Sequence, residues 1–248
     1  MQTLLNTPHE IIQQNILGAA AKAKTRILNI LVLGMMAGSF IAMGAQSSSL
    51  AVHNISNIGL ARTLAGCIFP VGLMMIVFVG GELFTGDCMM SMAWMQRKIH
   101  FADMLRTLVL VYVSNFVGAA LIAFLVAHSG QYDYSSGALG AYTIKVAYGK
   151  VHLSFANALI SGILCNILVC VAVLMAAAAK DIAGKVLAIF FPILAFVVSG
   201  FEHCVANMYY IPAGIFASKN AAYAAKAFEL YNIDSTQLSS LNWGSFAI

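Results

Sequence analysis

One short pattern occurs twice, each time inside an apolar run, and it narrows the folds open to this chain. The first copy reads Gly80-Gly81-Glu82-Leu83-Phe84-Thr85-Gly86-Asp87 and the second Gly200-Phe201-Glu202-His203-Cys204-Val205-Ala206-Asn207. Both fit Gly-x-Glu-x-x-x-small-Asp/Asn, and a Phe-Pro pair precedes each, at Phe69-Pro70 and Phe191-Pro192. The surrounding runs, about 64–95 and 186–217, are each roughly 32 residues, too long for one membrane span of about 20. A carboxylate is costly at membrane depth. Each run therefore reads as two half-helices around an irregular piece, which must be buried in protein or line a cavity. One such interruption per half of a chain is the pattern of transport proteins with internal repeats.

The composition agrees. Of 248 residues, 61% are hydrophobic and 9% charged, with mean hydropathy +0.87, against about 25% charged in soluble domains. The chain reads as an all-α polytopic membrane protein embedded in the lipid bilayer; barrel-type alternation is absent. The net charge of +4 is spread along the sequence, with no basic cluster for nucleic acid. The five cysteines lie in or beside apolar runs and form no Cys-x-x-Cys pair, so they read as small core residues. No His/Cys/Asp/Glu group has metal-ligand spacing and no activated nucleophile stands out. No metal, cofactor or catalytic residue is expected, and the chain does not read as an enzyme.

Residues 1–25 form an N-terminal surface helix, with Asn6 and Thr7 as cap oxygens and Pro8 in the first turn. A first span covers about 26–43, with Gly34 and Gly38 spaced for close helix contact. A polar connection from Ser47 to Asn57, the first broken span and a third span to about residue 127 complete a first repeat, 26–127. Residues 128–154 are a polar outer connection. The second repeat, 155–248, holds a fourth span, the second broken span and an outer loop from Lys219. Three spans per unit invert the second unit relative to the first. That symmetry calls for a sixth span after Ile248, so the sequence is expected to be truncated. Eight Lys/Arg residues fall on one set of connections and five on the other, which favours a cytoplasmic N-terminus.

Three segments carry a resemblance: Glu82-Leu83-Phe84-Thr85-Gly86, Gly162-Ile163-Leu164-Cys165-Asn166, and Gly200-Phe201-Glu202-His203-Cys204-Val205-Ala206-Asn207-Met208. Together they resemble the formate/nitrite transporter family. The resemblance implies an aquaporin-like inverted repeat of three-helix units with broken second and fifth spans. It also implies a homo-pentamer with one pore per protomer, in the bacterial inner membrane. Within the family, Glu82 and Gly86 look more like nitrite and hydrosulfide members than formate members, and the chain is most similar to the hydrosulfide channel. The expected substrate is a small monovalent anion of a weak acid, hydrosulfide first, with formate or nitrite as the alternative. Flux would be passive or proton-coupled. Asp87 departs from the family, where many members have Asn, and the family's last-span motif Asn-Leu-x-Pro-Val-Thr is absent. An aquaporin-type neutral-solute channel would carry Asn-Pro-Ala at the half-helices, and neither copy does.

His203, at a helix break near mid-membrane, can donate a hydrogen bond to an anion or, if protonated, share a proton. The resemblance sets the Thr85 hydroxyl opposite it and Lys150 at the pore mouth, where a cation gathers anions. It also marks apolar constrictions at Phe69, Leu73 and Phe196, read as cytoplasmic, and at Phe84 and Val169, read as outer. Glu82 and Glu202 are read as scaffold, accepting backbone N–H groups freed by the breaks, together with Gly81, Gly86, Asn207 and Asn166; the alternative makes the two glutamates anion-repelling gates or proton carriers. Asn115 and Asn166 read as helix-bridging residues. Half-helices beginning near Leu83 and Met208 point their positive ends at the centre.

Overall fold

A computed structural model of the chain describes residues 5–246. The helices, in order, are α1 (Pro8–Lys22), α2 (Ile27–Val52), α3 (Ile58–Ile68), α4 (Val71–Val79), α5 (Phe84–Asp87), α6 (Met90–Met95) and α7 (Phe101–Ala127). They continue as α8 (Ala138–Val151), α9 (Phe155–Ala178), α10 (Ile182–Ser199), α11 (Cys204–Ser218), α12 (Ala221–Tyr231), α13 (Ser235–Ser239) and α14 (Trp243–Phe246). Among the described residues, five stretches are long and apolar enough to cross a membrane: α2, Ile58–Val79 (α3 with α4), α7, α9 and α10.

Two faces follow from the connections. On one, Asn6 N–H donates to the Ala178 carbonyl at 2.9 Å, which joins the start of α1 to the end of α9. Arg106, in the first turns of α7, donates to the Thr25 carbonyl. On the other, Asn54 donates to Ser135 at 2.8 Å, joining the α2–α3 connection to the segment ahead of α8. Tyr223 of α12 donates to Asp133 at 2.6 Å there. The first broken segment, α3 to α6, therefore runs from the α8 face to the α1 face. The second, α10 to α11, runs from the α1 face to the α8 face. Antiparallel breaks place both irregular pieces in one central core, with Leu83, Val169, Phe196 and Val205 in a single apolar cluster.

Local chemistry explains the elements. Thr7 caps α1 in a reciprocal capping box with Glu10, with Pro8 at its start. The α2–α7 contact is the most extensive in the fold because small residues let the backbones touch. A methyl group added at Gly38 would lie 2.0 Å from the Asn115 carbonyl oxygen, and one at Gly118 2.0 Å from that of Met35.

Three expectations need correction. The first span does not stop at the serines: α2 continues to Val52, because the Ser48 hydroxyl donates back to the Gly44 and Ala45 carbonyls and its polarity is absorbed within the helix. The connection 128–154 contains α8, whose Leu139, Ile144 and Ala147 are buried against α11 and α12. The stretch from Lys219 is helical as well, with Tyr223 and Ala227 buried. These helices are short and mix small and polar residues with the apolar ones, so no long apolar run marks them.

Replacing Gly118 by Leu should break the α2–α7 contact, since the obstructing atoms are backbone. The expected outcome is a loss of about 3 kcal/mol or more, seen as a lower unfolding temperature in detergent. An unchanged melting temperature would show that the helices do not pack this closely.

Candidate functional site

The breaks are made by glycine and held by side chains. Gly80 has φ +102° and Gly200 φ +73°, conformations that L side chains rarely adopt. The scaffold glycine of the first copy is thus Gly80, rather than Gly81 or Gly86. Gly81 matters for space, since a Cβ there would come within 3.2 Å of Ala37, whereas one at Gly86 would meet only Val173 at 3.9 Å. Asn115, fully buried in α7, closes the first break. Its amide donates to the Gly34 and Glu82 carbonyls, each at 2.8 Å, and its oxygen accepts the Phe84 N–H at 3.0 Å. At the second break, Glu202 N–H donates to Ser161 of α9 at 2.9 Å. Among the described residues Asn166 bonds no backbone group of either break; its side chain reaches Cys170 one turn on in α9 and Cys88 at the end of α5, so it ties α9 to the first broken segment.

Among the described residues the two glutamates accept no backbone N–H group; each holds a lysine. Both Glu202 carboxylate oxygens accept from Lys150 Nζ at 2.7 Å, and one also accepts from the Asn207 amide at 2.9 Å. In the first copy, Lys22 pairs with Glu82 and, at 2.5 Å, with Asp87. Burial alone would lower the pKa of Lys22, but Asp87 and Glu82 outweigh it and hold the value above the ordinary one. The lysine therefore stays charged. In the sequence Lys22 belongs to a surface helix, where a lysine is ordinarily solvated. One signal was available: it lies five residues before α2, as Lys150 lies five before α9.

Between the breaks, Thr85 and His203 meet, both buried, with Oγ1 and Nε2 3.4 Å apart. Helix α11 starts at Cys204, four residues earlier than expected, because His203 is its cap: Nδ1 accepts the Ala206 N–H at 3.1 Å. A backbone N–H can only donate, so Nδ1 carries no proton. In the neutral ring the proton is then on Nε2, which faces Thr85 as a donor. Protonating Nδ1 would cost the cap. The contact of 3.4 Å is at the long edge for a hydrogen bond.

Phe69 and Phe196 pack edge to face at 5.5 Å, and Phe196 stacks on His203 at 5.8 Å. Both rings line a cavity of about 120 Å³ with Lys150, Asn207, Tyr210 and His203. Leu73, one turn beyond Phe69, is buried in the same core. These three side chains lie on the Lys150 side of His203, away from the N-terminal helix, the reverse of the side expected from the sequence. The reason is topological. The chain enters α3 from the α8 face, and the 18 residues of α10 carry Phe196 most of the way across to meet it. Phe84 follows the first break toward the α1 face and packs against Tyr112 at 4.9 Å. Val169, in the second half of α9, is buried in the shared core.

Two broken helices meeting at a buried hydroxyl–imidazole pair, inside a bundle of membrane-length helices, define a transmembrane channel or transporter. Comparison with known proteins gives the family. A model of the formate/nitrite transporter family matches residues 9–247. The chain is 40% identical to the "Uncharacterized transporter YrhG" of Bacillus subtilis strain 168, over 85% of this chain and 80% of that protein. It is 39% identical to the "Formate channel BtFdhC" of Bacillus thuringiensis, over 85% and 82%. A solved structure described as a pentameric formate channel with formate bound superposes with a TM-score of 0.78 at 29% identity, covering 90% of this chain and 87% of that one. The chain belongs to the formate/nitrite transporter family, whose members are channels and transporters, not enzymes.

Lys150→Met should strand the Glu202 carboxylate and destabilise the protein by about 3–5 kcal/mol. The double variant Lys150→Met/Glu202→Gln should recover much of that loss in thermal unfolding. Equal melting temperatures for the two variants would mean that the pair does not hold the break.

Proposed function

We propose that the chain forms a channel for formate, passive or proton-coupled, in the cytoplasmic membrane, with the α1 face toward the cytoplasm. The observation that carries this reading is the Thr85–His203 pair, which offers a hydroxyl and an imidazole N–H to a small anion between two apolar constrictions. The pore begins at the α8 face. Lys150 uses two bonds on Glu202, leaving one of an ammonium's three donors for an anion. The Phe69–Phe196–Leu73 ring strips water, the anion exchanges its hydration for Thr85 and His203, and Phe84 and Val169 form the second constriction. His203 acts as a hydrogen-bond donor, because its cap occupies Nδ1.

Formate takes precedence over the hydrosulfide suggested by Glu82 and Gly86. What supports it is that several relatives, and a solved structure of similar fold, are named as formate channels. The pentamer is proposed on the description of that structure. The exposed apolar side chains of α2, α7 and α9 would face lipid or neighbouring protomers. We also read each repeat as starting with its amphipathic helix. α1 leads the first unit and α8 the second, each bringing the lysine of its break.

In vesicles containing the purified protein, stopped-flow uptake should rank formate above nitrite and hydrosulfide, with no matching rise in water permeability. His203→Ala should lower formate flux about 10–100-fold, the worth of a hydrogen bond to a charged group. Unchanged conduction would remove His203 from the pathway.

A further inference from the structure

The two copies of the break motif are not electrically equivalent. Lys150, Glu202 and Asn207 sum to zero. Lys22, Glu82 and Asp87 sum to −1 when all are ionised, and the excess charge is buried: the Glu82 and Asp87 side chains are 14% and 2% exposed. An uncompensated charge in such a place is strongly disfavoured, and one of two neighbouring carboxylates then retains a proton.

The second copy shows what the first lacks. There the Asn207 amide donates to Glu202 at 2.9 Å. Asp87, at the matching position, cannot donate to Glu82 while ionised. One of its oxygens, Oδ1, meets Lys22, and the other, Oδ2, is buried without a hydrogen-bond partner, as is the Asn207 oxygen in the second copy; what the first copy lacks is the amide donor. A proton on Oδ2 would supply the missing donor and bring the cluster to zero charge.

We propose that Glu82 and Asp87 together hold one exchangeable proton against Lys22, forming a proton-binding site at the mouth of the first break. A cavity of about 240 Å³, lined by Gln14, Asn15, Lys22, Gly86 and Asp87, reaches it from the α1 side. The titratable groups around it are few. α1 presents Lys22 and the break presents Glu82. Asp87's own segment continues into Cys88, and α9 adds Cys170, whose thiol is bonded to the Thr85 carbonyl at 3.5 Å. α7 sets Tyr112 against Phe84, and α11 contributes Cys204. Lys22 is the cation in this set, and it is already shared between the two carboxylates.

The proton-binding site stands apart from the identity of the anion; its effect on flux rests on the channel reading above. With the proton bound, the α1-side mouth is neutral and an anion can approach. Without it, the mouth carries a negative charge that repels anions, so flux from this side falls as pH rises.

The test is an infrared pH titration of the full chain in lipid vesicles, with anion flux measured on the same vesicles. A protonated-carboxyl band should be present at neutral pH and vanish on alkalinisation. It should be lost in Asp87→Asn, a change that reproduces the Asn207 arrangement, and also in Glu82→Gln. Lys22→Met should instead enlarge it, because both carboxyls would then take protons. The flux step that follows this titration in the unaltered protein should be missing in Asp87→Asn, whereas titration of the substrate itself affects both alike. Absence of the band, its persistence in Asp87→Asn and Glu82→Gln, or its appearance only when sodium and potassium are removed would overturn the proposal. A titrating band in protein that conducts no anion would sink the channel reading and leave the proton site standing.

Discussion

Each helix break depends on a buried glutamate that must find a cation. Breaking a helix at membrane depth frees backbone groups and, here, brings a carboxylate with them. The carboxylate is tolerated because a lysine reaches it from an amphipathic helix outside the spans: Lys22 from α1 and Lys150 from α8. The released backbone groups are met separately, by Asn115 and the Leu33 carbonyl at the first break and by Ser161 and the His203 cap at the second. With the glutamates and lysines paired to each other, Thr85 and His203 are the polar pair that meets between the two breaks.

The copies share a frame and differ where function needs it. One position after the glutamate, the first copy has buried Leu83 and the second His203; three positions after, the first has Thr85 and the second buried Val205. Each copy therefore contributes one polar and one apolar side chain to the middle. The antiparallel course of the two segments brings the polar pair together. The same logic applies to Asp87 and Asn207, where one atom's difference changes the charge of a buried cluster.

Much of this was legible in the sequence. A carboxylate flanked by glycine inside roughly 32 apolar residues has few physical solutions, and the broken helix is the one observed. The α1 cap, the Gly34–Gly38 contact and the bridging role of Asn115 followed from local chemistry in the same way. Partners distant in sequence were not legible. Lys22 lies 60 residues before Glu82, and a lysine on an amphipathic helix is usually solvated. Helices α8 and α12 are short and mix lysines, tyrosines and small residues with few large apolar ones, so their composition resembles a loop. The sides of the two constrictions were inverted, because placing Phe196 requires knowing that α10 nearly crosses the bundle before it breaks. Gly80 and Gly81 are adjacent and alike in sequence, and only the backbone dihedral distinguishes the residue the break requires.

The central claim is that an anion sits against Thr85 and the Nε2 of His203. Solid-state NMR on the protein in lipid, with carbon-labelled formate and nitrogen-labelled histidine, reads that contact directly. The account predicts dipolar coupling from the formate carbon to one imidazole nitrogen, Nε2, at hydrogen-bonding range, with Nδ1 remaining unprotonated. Formate that binds and permeates with no coupling to His203, or a ring protonated at Nδ1 in the bound state, would contradict it.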